Sequence, residues 1–290
     1  MPLDYAKLMS VKFEPTTAQY SKKDTILYAL GLGVGSVDPC DANELKYVYE
    51  RQLVALPTLA VTLAAGAMKL AEPEFGVNYQ LLLHAEQSLL VHKPLPVEGT
   101  VASQITIDEI YDKGAAKGAI MYMTRKLYDQ ASGDLLVTMG TVSFLRGDGG
   151  FGGKSDGAPK PQPVPSDRPA DLTASVPVSL NQALIYRLAG DYNPLHIDPE
   201  IARVAGFDRP ILHGLCAYGM VGRALIKVLC GDDPTRLRRL DVRFTSPVYP
   251  GEPLHIEIWN VGAGAAAFRL VASERKVVVE DFGRVEYESL

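Results

Sequence analysis

Three short segments occur twice along this chain at nearly equal separations, and that repetition constrains the fold more than any other feature. Ile26-Leu27-Tyr28-Ala29-Leu30 returns as Leu184-Ile185-Tyr186-Arg187-Leu188, and Pro57-Thr58-Leu59 returns as Pro210-Ile211-Leu212. His92-Lys93-Pro94-Leu95-Pro96 returns as Thr245-Ser246-Pro247-Val248-Tyr249. Chance similarity does not keep such offsets equal, so the chain reads as two diverged copies of one unit. Between them, Gly147 to Pro169 is Gly-rich and then Pro-rich and cannot pack a core. The expected division is a first repeat over 1–146, a linker over 147–170 and a second repeat over 171–290.

Each repeat carries runs of β-branched and aromatic residues bounded by Gly, Asp or Pro. They cover 100–107, 119–128 and 135–145 in the first copy, and 254–261, 266–274 and 276–287 in the second. Helical spacing precedes them. Leu180 to Leu188 predicts a helix with Leu184, Ile185 and Leu188 along one face, and the apolar tract Leu53 to Leu70 predicts a core helix. Helices first and an antiparallel sheet afterwards is an α+β pattern, not a parallel α/β one.

At 290 residues, with 47% hydrophobic and 22% charged residues, the chain can bury one large core or two of ordinary domain size. The net charge of −5 argues against nucleic acid as a partner. Cys40, Cys216 and Cys230 are too few for a disulfide framework, and the N-terminus shows no secretory pattern, so a reducing cytoplasm is expected. Glu288-Ser289-Leu290 is not the Ser-Lys-Leu peroxisomal address. No apolar run reaches the roughly 18–20 residues of a membrane span. Two phosphate-loop look-alikes fail. Gly153-Lys154-Ser155 has Asp148 where the first Gly belongs, and Gly31-Leu32-Gly33-Val34-Gly35 lacks the G-x-G-x-x-G spacing.

The chemistry is concentrated in Tyr186 to Ala202, YRLAGDYNPLHIDPEIA. Gly190 tolerates a helix-ending conformation, and Pro194 stiffens the turn and pushes Asn193 toward extended backbone. Asp191, Asn193 and His196 are therefore held together on a short turn, in an arrangement able to fix one water molecule. Taken singly, each also fits an ordinary turn or capping role. Downstream, Pro210-Ile211-Leu212-His213-Gly214 leads into an apolar helix through Ala217, Met220, Val221, Ala224, Leu225 and Val228. Gly214 allows close backbone approach, and its N–H is free at the helix start. It is expected to tolerate substitution poorly. His213 is read as a structural, helix-start residue. Arg203, Arg209, Arg223, Arg236, Arg238 and Arg239 are cations available to a phosphorylated ligand, with nothing to choose among them, so the substrate-binding residues stay unassigned.

The order Tyr186, Ala189, Gly190, Asp191, Asn193, Pro194, Leu195, His196 and Ala202 resembles the signature of the MaoC-like (R)-specific enoyl-CoA hydratases (hydratase 2). Ala189 stands where a Ser, Thr, Gly or Cys is commoner. Ile211-Leu212-His213-Gly214 and the segment Arg243 to Glu252 resemble further motifs of the same family. The resemblance spans nearly the whole chain and implies a double hot-dog fold, two fused repeats of a sheet wrapped around a central helix. It implies that Asp191 and His196 hold the water, that Asn193 orients it and that the Gly214 N–H stabilises the thioester oxygen. The implied reaction is syn hydration of trans-2-enoyl-CoA to (3R)-3-hydroxyacyl-CoA, with no cofactor and no metal beyond the acyl-CoA substrate, by a homodimer. The first repeat, with no acid or imidazole opposite Asp191 and His196, is implied to make room for the acyl chain. Other readings stay open: a hydratase of a steroid side-chain, branched or dicarboxylic acyl-CoA, a thioesterase, a non-catalytic acyl-CoA-binding subunit, or a metal site of His196, Asp198 and His213.

Overall fold

A computed structural model describes residues 3–65 and 70–289. Ten strands form one sheet: β1 (Thr16–Tyr20), β2 (Leu82–Val91), β3 (Gly99–Asp112), β4 (Ala119–Asp129), β5 (Leu135–Leu145), β6 (Leu172–Val176), β7 (Leu237–Phe244), β8 (Leu254–Gly262), β9 (Ala265–Ala272) and β10 (Val277–Tyr287). Their order is β1-β3-β4-β5-β2-β7-β10-β9-β8-β6. Every neighbouring pair is antiparallel. The second five strands repeat the order of the first five in mirror sequence, so the sheet has a pseudo-two-fold axis between β2 and β7. Ser88 pairs with Asp241 at that axis, and the two are as far apart in sequence as Pro57 and Pro210.

Among the described residues, six helices accompany the sheet: α1 (Tyr5–Ser10), α2 (Lys22–Gly31), α3 (Ala42–Leu45), α4 (Gln182–Tyr186), α5 (Pro199–Val204) and α6 (Gly214–Leu229). Helix α6 is the hot-dog helix of the second repeat. Its side chains from Cys216 to Gly222, with Leu225, Ile226 and Leu229, are buried against the sheet. Two of its glycines admit the first repeat. A Cβ at Gly219 would lie 2.7 Å from the Tyr28 hydroxyl and a Leu32 methyl, and one at Gly222 would lie 2.9 Å from Thr58. One helix therefore packs against both halves, and the main core runs through both.

Three expectations need correction. An edge strand stands ahead of the main helices in each repeat: β6 opens the second, and β1 follows the short α1 and precedes α2 in the first. Leu184 and Leu188 are 50% and 46% exposed, and the buried residues of α4 are Gln182, Ala183 and Tyr186. The apolar periodicity there marked the outer side of the helix, which also gives way to a 3-10 turn at Arg187–Ala189. The tract Leu53 to Leu70 forms no core helix among its described residues; residues 66–69 lie outside them. It is a 3-10 turn, Pro57–Val61, buried at all five positions.

That turn is closed by an unusual cation. The Arg125 guanidinium, on β4, donates to the carbonyls of Ala60 (3.2 Å), Val61 (2.8 Å) and Leu63. Burial pushes its pKa down to about 10, which leaves it charged at neutral pH. Without it, three carbonyls at the end of the turn lose a charged donor. Arg125→Met is therefore expected to destabilise the fold by about 2–4 kcal/mol. An unchanged urea midpoint would show that the turn holds itself.

Candidate active site

The local sequence builds the site in two pieces. The first leaves α4 through Gly190, whose φ of +122° is closed to most side chains. The Asp191 carboxylate then accepts the Asn193 N–H (3.2 Å), and the Asn193 amide oxygen accepts the Leu195 N–H (3.1 Å). These two bonds wind the chain into a 3-10 turn, Pro194–His196, that carries His196 into the interior. The second piece is the strand-like approach to α6, where Leu212 N–H bonds the Val248 carbonyl (2.7 Å). It ends with His213 as the N-cap and Gly214 as the first helical residue.

The pieces meet through their imidazoles. The His196 and His213 rings stack with centroids 3.7 Å apart and planes at 29°. His196 Nδ1 lies 2.9 Å from the Ile211 carbonyl, which fixes the proton there and leaves Nε2 as an acceptor. His213 Nε2 lies 3.1 Å from the Asp191 carbonyl, so this ring ties the catalytic turn to the helix start. Tyr186, buried beneath, presents its ring 5.0 Å from that of His213. Burial lowers the pKa of both imidazoles, that of His213 to about 4 with His196 adding to the effect. Both are neutral at pH 7, which suits stacking and proton acceptance.

Asp191, His196 and His213 each bring one polar atom within 4.8 Å of the others. Such a carboxylate and imidazole set has the ligand types of a metal site and equally those that hold one water by hydrogen bonds. The metal set with Asp198 does not assemble. The Asp198 carboxylate instead caps α5, accepting from the Glu200 and Ile201 N–H groups at 2.8 and 3.3 Å. Asn193 is exposed, and its amide oxygen accepts the Leu195 N–H, so it shapes the loop. His213 stands at the helix start as expected, and its ring sits inside the site.

One wall was not legible in the sequence. His84 comes from β2 of the first repeat, beside a β-bulge at Ala85. Its ring meets the Phe244 ring edge-on at 5.2 Å, and Phe244 stands 3.4 Å from where a Cβ on Gly214 would lie. Burial lowers its pKa to about 4 against the pull of the Asp191 charge. The N–H of Gly214 has no partner within its own helix, as first-turn donors do not. Of the six arginines, Arg223 pairs with Glu44, Arg238 with Glu288 and Arg239 with Asp241, and Arg236 holds the Glu288 carbonyl. Arg203 and Arg209 form no ion pair among the described residues; Arg209 rests on the Tyr249 ring at 5.1 Å.

The chain matches known proteins over nearly its full length. Residues 162–281 fit the MaoC like domain, and residues 18–147 fit the MFE-2 hydratase 2 N-terminal domain. A probable enoyl-CoA hydratase 2 of Dictyostelium discoideum is 38% identical over 276 residues, which is 93% of this chain and 91% of that protein. The 3-hydroxyacyl-thioester dehydratase Y of Mycobacterium tuberculosis is 40% identical over 280 residues, 94% and 95% of the two chains. The MaoC-like dehydratase of Phytophthora capsici superposes with a TM-score of 0.86 at 35% identity, over 98% of this chain and 99% of that one. With this similarity joined to the shared sheet, the helix start at Gly214 and the Asp191–His196 turn, the chain belongs to the MaoC-like enoyl-CoA hydratase 2 family, on a double hot-dog fold.

Proposed function

We propose that the protein adds water reversibly across the double bond of a trans-2-enoyl-CoA to give the (3R)-3-hydroxyacyl-CoA. The observation that carries this reading is the meeting of Asp191 and the His196 Nε2 acceptor beside the free N–H at the start of α6. Water held between carboxylate and imidazole loses one proton as its oxygen bonds C3. A proton returned by the same pair reaches C2. Charge that builds on the thioester oxygen meets the Gly214 N–H and the positive end of α6. No electron acceptor enters this balance, so water and the CoA thioester are the only small molecules required. The first repeat is assigned the acyl chain: its buried turn at Pro57–Val61 replaces a helix, and the Thr62 carbonyl faces Gly190. A cytoplasmic homodimer completes the proposal. Pairing of fused members is common in the family, and Cys216 and Cys230 are buried free thiols suited to a reducing compartment.

The test follows loss of the ultraviolet absorbance of the conjugated thioester with a short and a long trans-2-enoyl-CoA. A parallel sample is coupled to an (R)-specific 3-hydroxyacyl-CoA dehydrogenase. Coupling with that enzyme and not with an (S)-specific one is expected, with no free thiol released. Thiol release would move the protein to the thioesterases. Absorbance unchanged with both chains would remove the hydratase assignment.

A further inference from the structure

The sheet behind the active-site helix holds an acid that the proposed chemistry does not use. Glu280 on β10 is 1% exposed, and neither of its carboxyl oxygens has a hydrogen-bond partner. It sits in register with Phe244 of β7 and Leu270 of β9. Directly opposed residues share a face of the sheet. That face is the one toward α6, since Phe244 stands against Gly214 and Leu270 is fully buried. From the helix, the ionisable groups facing Glu280 are Cys216 and Tyr218, and the pKa of each is raised in part by its charge. Tyr28 of α2 lies behind Tyr218 in the same cluster. No cation faces it. The adjacent register pair, Arg243 and Asp281, alternates to the other side of the sheet, where Arg243 is spent on Glu86. The acid thus lies on the sheet face beneath the start of α6, next to the Phe244 that packs against Gly214.

We propose that Glu280 makes the start of α6 sensitive to pH: while it is protonated the helix start is free to act on the thioester oxygen, and its ionisation behind the turn weakens that action. The inference rests on the hydratase reading above. Helix starts stabilise charge because their N–H dipoles converge on it. A carboxylate on the buried side competes for the same dipoles and repels the negative charge that forms across the turn. Burial pushes the Glu280 pKa up to about 8, so the acid is neutral at pH 7 and loses its proton just above. The other groups near the turn do not titrate there. The imidazoles of His196, His213 and His84 are all shifted to the acid side, and the Cys216 thiol and Tyr218 phenol are shifted well to the alkaline side.

The experiment is kcat against pH at saturating trans-2-enoyl-CoA, for the full-length protein and for Glu280→Gln and Glu280→Met. Circular dichroism at each pH confirms that the fold persists. Wild-type kcat is expected to fall on the order of tenfold as pH rises through about 8. Either neutral variant should keep its pH 7 rate across that range. Infrared difference spectra supply a readout in the unmutated protein: a protonated-carboxyl band should be present at pH 7 and fade in step with kcat. A wild-type rate with no alkaline fall, an alkaline fall that persists in both variants, or no protonated band at pH 7 each overturns the proposal. Absence of hydration at every pH overturns the hydratase reading instead.

Discussion

Asp191→Asn and His196→Ala are each expected to lose about 10² to 10⁴ in kcat, the range usual for positioned acid–base groups. The asparagine keeps the oxygen that accepts the Asn193 N–H, so the turn is retained while the charge is removed. Its loss is therefore assigned to chemistry more cleanly than that of the alanine, which also strips the stacking partner of His213 and the donor to the Ile211 carbonyl. The two losses should not multiply in the double variant, because carboxylate and imidazole hold the same water. Steady-state rates on the three variants, with thermal melts as a check on folding, decide the matter. Folded single variants within tenfold of the wild-type rate would falsify a water-holding role for this pair.

Gly214→Pro tests the remaining part of the mechanism with little damage to the fold. Proline is favoured at the first position of a helix, where the missing N–H has no internal acceptor to lose. The preceding residue, His213, already has the extended ψ of 133° that proline demands of its neighbour. The substitution removes the proposed oxyanion donor and leaves α6 able to form. A fall of about 10² to 10³ in kcat is expected, the cost of deleting one such donor. Gly214→Ala is the companion. A methyl there meets Phe244 at 3.4 Å, an ordinary contact, so the protein itself has room for it. The poor tolerance expected from sequence must then come from the ligand's approach and appear as a rate effect without a stability effect. If proline turns over as fast as glycine, the thioester oxygen is stabilised elsewhere.

The parts of the site that were legible in the sequence are those that short-range rules assemble. Gly190 and Pro194 dictate a turn from within it, so Asp191 and His196 could be placed together without knowing the sheet. Gly214 followed from a similar local argument about a helix start. His84 could not be found that way. It reaches the site only because β2 pairs with β7 across the pseudo-two-fold, and because a bulge at Ala85 interrupts the alternation along its own strand. The stacking of His213 on His196 is non-local in the same sense. The failed helix over Leu53 to Leu70 has a different cause. Its apolar pattern is real, and every residue of the turn Pro57–Val61 is buried. Arg125, far away in sequence, supplies the donors that a helix would have taken from its own backbone. On α4, periodicity located the helix but not its inner face, since Leu184 and Leu188 point outward while Gln182 reaches the Gly31 carbonyl.

The continuous sheet gives the first repeat a duty unrelated to acyl chains. Strand β7 is flanked by β10 on one side and by β2 on the other. Were the second repeat to stand alone, β7 would become an open border of unpaired N–H and C=O groups, ready to accept any strand that diffused against it. The first repeat therefore acts as a guard: it covers β7, one of the two borders of the second repeat, and leaves only β6 as an open edge on that side.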